Sequence, residues 1–351
     1  MLTVLAVVLA VVWCGLPGAD GPVWALQDGH TSERLRAVSV VDARVAWAGG
    51  NRGTVLRTVD GGRTWTRGDP PDAGTLDFRD IEAFDAATAV ALSIGPGDQS
   101  RIYRTADGGA TWALEFTNPD PRAFYDALAF WDSRRGIAVG DPVDGRLAIL
   151  RTDDGGTTWS ATPPGERPAA RPGEGLFAAS GTCVVTRGRL LGWLATGGAN
   201  RARVFRTVDG GKTWSASETP AASGGPSAGL FSIAFDDAAH GIAVGGDYRK
   251  ERDASDNVVR TADGGRSWSL GATRLRGFRS GVVYIPHTGG AILVAVGPSG
   301  SDWSADGGDT WTPIGNEGFH AVGVSRRGDA VWAVGEGGRI GRLMNCRGVH
   351  P

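Results

Sequence analysis

Lysine is almost missing from this chain: of 36 basic residues only Lys212 and Lys250 are lysines. The arginines are balanced by 38 acidic residues for a net charge of -2, which argues against a general nucleic-acid binder. Cysteine is scarce as well, at three residues, and histidine stops at five. These counts exclude a disulfide-stapled scaffold, and no CxxCH haem site or Cys/His metal cluster is present. No GxGxxG follows a strand-like run, so dinucleotide redox chemistry has no support either. No cofactor and no metal are expected.

Long apolar runs are also lacking after the first 13 residues, MLTVLAVVLAVVW. That run is short for a bilayer span and resembles the apolar region of a secretory signal, although a basic flank is missing. Residues 1–19 are therefore expected to be a signal-like segment, and residues 20–351 one domain. Export to the cell envelope or beyond follows, with a membrane tether as the other outcome. Cys14 follows the bulky Trp13, where a lipidation site needs a small residue, so lipidation is not expected. Cys183 and Cys346 fall on opposite sides of the expected ring, and no disulfide between them is expected.

Glycine, by contrast, is abundant at 56 of 351 residues, and its distribution is ordered. The stretch RTVDGGRTW at 57–65 recurs as RTADGGATW, RTDDGGTTW, RTVDGGKTW, RTADGGRSW and a worn WSADGGDTW. The closing tryptophans are Trp65, Trp112, Trp159, Trp214, Trp268 and Trp311, spaced by 47, 47, 55, 54 and 43. Self-similarity at this period signals a repeat architecture. Each copy reads as a tight turn between two strands. Its Asp carboxylate takes backbone N–H groups of its own turn, its glycines supply positive φ, and its Trp opens the next strand as an apolar wedge. These aspartates are turn-formers, not catalysts.

Aligned on the turns, the chain resolves into units of four short strands. The second unit shows the pattern best, with FRDIEAF, TAVALSI, RIYRT, the turn, and TWALEF. The fourth is read from LFAASGT through GWLATGG and VFRT to TWSAS. A seventh unit begins at FHAVGVS and stops after RIGRL without its turn or fourth strand. Val23-Trp24-Ala25-Leu26 resembles Thr111-Trp112-Ala113-Leu114, so the N-terminal segment is expected to supply the missing strand and close the ring. The fold class is all-β: a seven-bladed β-propeller of four-stranded antiparallel blades. A monomer is expected.

Aligning the starts of the innermost strands puts Arg36, Arg79, Tyr125, Phe177, Phe231, Arg279 and His320 at one position around the channel mouth. Three arginines with a tyrosine and a histidine suit a pocket that grips a carboxylate or phosphate. Pairing of the arginines with Asp80 and Asp126 as structural ion pairs is the competing account. Asp80, Asp126, Asp141, Asp144, Asp247 and Tyr248 form an expected rim. Carboxylates so spaced do not converge enough for a Ca²⁺ site. Links 163–175, 219–229 and 247–257 are long, which marks a binding side or tolerated drift.

The Asp-box turns, AWAGGNRGTVLRTVDGG near the start and the closing VWAVGEGGRIGRL make residues 24–343 resemble propellers related to the photosystem II stability/assembly factor. That resemblance implies a non-catalytic scaffold for a protein partner, with an arginine patch whose nearest counterparts are Arg36, Arg79 and Arg279. The Asp-boxes also resemble sialidase-type glycoside hydrolases. Those imply an anionic sugar held by three arginines, a Tyr–Glu nucleophile and an Asp acid. The Arg-Ile-Pro signature of that family is absent, the nearest string being Phe78-Arg79-Asp80-Ile81. Glu166 and Glu174 have no identifiable tyrosine partner. A binding module is the preferred reading, and the hydrolase its alternative.

Overall fold

The turn of the repeated motif explains the blades. In the first copy the Thr58 hydroxyl donates to Asp60 (2.9 Å), and the Gly62 N–H donates back to Thr58 Oγ1 (2.9 Å). The Thr64 N–H and hydroxyl then both donate to the Asp60 carboxylate, at 3.0 and 2.7 Å. Gly61 and Gly62 sit at φ 81° and 83°, a conformation that side-chain-bearing residues resist. The same bonds recur at Asp107, Asp154, Asp209, Asp263 and Asp306. Each turn joins the third and fourth strands of one four-stranded antiparallel sheet.

Seven such sheets form the computed structural model, which describes residues 21–345. The expected leader at 1–19, Cys14 and Cys346 lie outside the described residues. The first blade runs Leu35–Val40, Ala46–Gly50, Val55–Thr58 and Thr66–Arg67. The second, third, fifth and sixth follow the same order from inner strands Asp77–Ala83, Tyr125–Phe130, Ala228–Phe235 and Gly281–Tyr284. The seventh comprises Ala321–Val324, Val331–Val334 and Ile340–Met344, and its outer strand is the N-terminal Val23–Gln27, as expected. No described helix is long and apolar enough to cross a membrane.

The core is divided into apolar layers between neighbouring blades. Alternate residues of each inner and second strand face opposite neighbours, so Trp47, Trp193 and Trp332 are fully buried between blades. Arginines near the end of the third strands add a polar stitch outside these layers. Arg104 donates to Gly155 O in the next blade (3.1 Å), and Arg342 of the last blade to Gly61 O of the first (3.0 Å). The sixth copy has Trp303 in place of the arginine, and the seventh blade has no such turn to receive one. Trp303 instead packs into the layer shared with the seventh blade, alongside Trp24.

The fourth blade departs from the sequence reading. Its inner strand is Val184–Arg187, and LFAASGT at 176–182 is not a strand. That segment enters the channel instead. The physical reason lies in its bonds: residues 176–182 satisfy backbone groups on three other blades and reach a fourth through the Ser180 hydroxyl.

The turn carboxylates carry a pH signature. Hydrogen bonds from Thr64, backbone first and then hydroxyl, hold Asp60 down at about 2; the Thr111 hydroxyl and N–H do the same for Asp107. A depressed folded pKa stabilises above the unfolded value near 3.9, and that stability is lost as pH falls through about 2. Half-buried Glu82, pushed up to about 7 chiefly by desolvation, acts with the opposite sign at higher pH. The difference between wild type and Asp107→Asn therefore isolates the turn. Melting temperatures should diverge above about pH 4 and converge towards pH 2; a constant difference across that window would refute the assignment.

Candidate functional site

The channel mouth is built on a β-bulge. The inner strands of blades 1, 2, 3 and 5 shift register between Leu35 and Ala37, Phe78 and Asp80, Tyr125 and Ala127, and Leu230 and Ser232. The skipped residues, Arg36, Arg79, Asp126 and Phe231, have no partner across the ladder and lie at the channel edge. In blades 6 and 7 the N–H groups of Ser280 and His320 bond to Val296 O and Val334 O, which puts those two residues in the same place.

This frame separates the seven residues aligned from sequence. Arg36, Arg79, Phe177, Phe231 and His320 line one cavity of about 390 Å³ at the mouth, together with Asp126, Asp141 and Tyr248. Tyr125 and Arg279 do not. Each lies one residue before the bulge position and points between blades, as Leu35, Phe78 and Leu230 do. The Tyr125 ring packs edge-on against Phe116 at 5.8 Å, and burial pushes its hydroxyl up to about 12. Arg279 is fully buried and donates through Nε to Asp302 at 2.8 Å. Phe177 reaches the cavity from the channel-crossing segment, not from an inner strand.

Of the expected rim, Asp80 lies deeper, buried, and accepts the Leu128 N–H at 2.7 Å. Burial drives its carboxyl well above the usual range. Asp144 is an exposed hairpin residue paired with Arg122, and Asp247 accepts the Arg249 N–H of its own turn. Neither lines the cavity. Sequence reasoning missed Phe278 and Ser280, which replace Arg279 there, and Glu251. The Gly at 297 gave a signal: a Cβ on it would lie 2.3 Å from Phe278 O, matching Gly140 against Phe124 O and Gly245 against Gly229 O.

The cavity has two unlike walls. On one side Phe177 stacks on Phe231 with centroids 3.8 Å apart, and Phe278 meets Phe231 edge-on at 4.6 Å. On the other stands Arg36, whose buried Nε has no hydrogen-bond partner. Burial first, and then Arg79 and Arg34, lower its pKa to about 9, so its charge is held in a site that disfavours it. Arg79 is committed, to Asp77 (2.9 Å) and Ala178 O (2.7 Å). His320 is pushed down to about 4, by burial and then by Arg36, and its Nε2 lies 3.1 Å from Glu336. The neutral ring therefore carries its proton on Nε2 and donates it to that carboxylate.

The sialidase-type grouping is not assembled. Tyr125 faces the interior, Glu174 is buried with Arg203 and Thr196, and Glu166 pairs with Arg151. Among the described residues no group of three or more His, Cys, Asp or Glu is placed to hold a metal.

No family model and no curated protein matches the chain. Solved structures do. A structure described as YCF48 bound to D1 peptide is 17% identical, covers 94% of this chain and 100% of its own, and superposes with a TM-score of 0.63. YCF48 from Cyanidioschyzon merolae is 18% identical over 91% of this chain and 98% of its own, at 0.60. A structure of U3-55K, 12% identical, covers 92% and 100% at 0.60. At these identities the likeness gives the fold, and the fold is a seven-bladed β-propeller.

Proposed function

We propose that this chain is an exported, non-catalytic binding propeller that holds a protein partner at its channel mouth. The observation that carries the reading is Arg36: a guanidinium in a concave site, with no ion pair among the described residues and no partner for its Nε, facing an aromatic wall. Such a group gains from an incoming anion what burial takes from it. One propeller of similar fold is described with a bound peptide, which supports a protein partner over a sugar.

The test places a photo-crosslinking amino acid at Tyr248, on the half-exposed rim, and irradiates cells of the native host. One discrete protein adduct is expected, and Arg36→Glu should abolish it. An adduct that survives Arg36→Glu, or none at all, would sink the reading. Against the purified partner, Arg36→Ala should weaken binding about 10- to 100-fold, as loss of a charge-assisted hydrogen bond does. Export is checked separately by fusing residues 1–27 to a reporter active only outside the cytoplasm.

A further inference from the structure

The segment 176–182 decides what shape of ligand the mouth can take. The segment is clamped on one side of the channel, its Ala178 carbonyl by Arg79 of blade 2 (2.7 Å) and its Leu176 N–H by Asp141 of blade 3 (3.0 Å). On the other side the Thr182 carbonyl accepts the Ile233 N–H of blade 5 (2.9 Å), and Ser180 donates to Ser280 O of blade 6 (2.6 Å). Gly181, at φ 74°, lies so close to Asp80 that a Cβ would be 2.4 Å from its carboxyl carbon. The segment thus bridges the channel, and its residues Leu176 to Ala179 line the cavity above. The cavity is a recess, not the entrance to a bore.

Charge narrows the ligand further. The ionised groups acting on Arg36 are Arg34 and Arg79, Asp77 and Glu336. Three acidic residues, Asp126, Asp141 and Glu251, share the lining with Arg36 and Arg79, which disfavours a multiply charged anion. Arg79 is held by Asp77 and Ala178 O through Nε, Nη1 and Nη2, so Arg36 is the guanidinium better placed to receive an anion. One monoanion is matched; a phosphate dianion is not.

We propose that the recess seats a carboxylate carried on one apolar group, with Arg36 on the carboxylate and the Phe177–Phe231–Phe278 cluster on the apolar part. This deepens the binding reading above and rests on it. The carboxylate comes either from the last residue of a peptide or from a free apolar acid, since a recess receives a chain end and does not thread a strand. Phe177 is the specificity-determining residue, because it joins the bridge to the aromatic wall.

The experiment titrates the purified protein by calorimetry with N-acetyl-L-phenylalanine, its amide, benzyl phosphate, and Ala-Ala-Ala-Phe with free and amidated ends. The free acid should bind with millimolar affinity, and the amide at least about tenfold more weakly. Benzyl phosphate should bind no better than the acid. Arg36→Gln should erase the acid–amide difference, and Phe177→Ala should weaken acid and amide alike; melting curves confirm that each variant is folded. Tighter binding of the free-ended tetrapeptide than of the acetylated residue identifies a chain end, and equal binding a free acid. Equal affinity for acid and amide would overturn the inference, as would a tenfold preference for the phosphate. Absence of all binding would overturn it too. In each case the Arg36-dependent crosslink decides independently whether the partner-binding reading survives.

Discussion

Arg279→Ala should lower the unfolding free energy by about 3–5 kcal/mol, the cost of breaking a buried ion pair from one side. The guanidinium is fully buried; its Nε and Nη2 lie 2.8 and 2.5 Å from Asp302 Oδ2, and its Nη1 donates to Phe278 O at 2.9 Å. Truncation strands the Asp302 carboxylate, itself inaccessible to solvent, with Arg276 as its one remaining cation (2.8 Å). Because that second arginine persists, the lower end of the range is expected. Arg276→Ala, at a half-exposed site with Arg279 still in place, should cost about 1 kcal/mol or less. Denaturant unfolding of both variants gives the comparison. A cost below about 1 kcal/mol for Arg279→Ala would mean that Asp302 is protonated or hydrated in the fold.

The same measurement separates two arginines that the sequence grouped together. Arg36 makes no ion pair among the described residues whose loss would strand a buried carboxylate, and its charge is already disfavoured by burial. Arg36→Ala should therefore stay within about 0.5 kcal/mol of wild type, or exceed it, while losing the ligand. Any ligand loss in Arg279→Ala would instead report a damaged sixth blade. The two residues occupy adjacent register positions, and a one-residue shift turns a core arginine into a channel arginine.

That shift marks the limit of what the sequence could disclose. Blade number, strand order and N-terminal closure were legible because each rests on a strong local signal: the paired glycines and the Asp of the turn, and the Val23-Trp24-Ala25-Leu26 echo of a fourth strand. The mouth was legible only in part. Its geometry depends on a bulge that skips one residue, and bulges leave no fixed residue type: here the skipped positions are two arginines, an aspartate and a phenylalanine. The bridge across the channel was hidden for another reason. LFAASGT has the apolar character of an inner strand, and the true strand Val184–Arg187 is only four residues long. The signal lay downstream, in CVVTR, a second strand-like run before GWLATGG that the other blades lack. Local pattern identified apolar segments correctly; which one pairs was settled by Arg79, Asp141 and Ile233, all remote in sequence.

A chain shortened to begin at Asp28 should lose cooperative folding altogether, the largest effect expected. Val23–Gln27 pairs along its whole length with Ile340–Met344, so its removal bares an edge at the one place where the two chain ends are joined. Three further losses follow. The Trp24 ring no longer covers Phe319, from which it lies 4.9 Å, and its Nε1 bond to Ser301 (2.7 Å) disappears. Gln27 Oε1 accepts the indole N–H groups of both Trp65 (3.1 Å) and Trp332 (3.0 Å), and both donors would be left buried without an acceptor. At about 1–3 kcal/mol for each stranded donor and about 3–5 for the lost Trp packing, the total approaches the whole stability of a domain. Gln27→Ala should reproduce the donor part alone, about 2–6 kcal/mol. The seam, not strand length, carries this cost: the outer strand Thr66–Arg67 of blade 1 is only two residues long and exposed. Circular dichroism melting of the shortened chain checks the claim, and a synthetic peptide of residues 21–27 added in trans should restore the transition. A sharp transition within a few degrees of the longer chain would show that six complete blades and a three-stranded seventh close the ring by themselves.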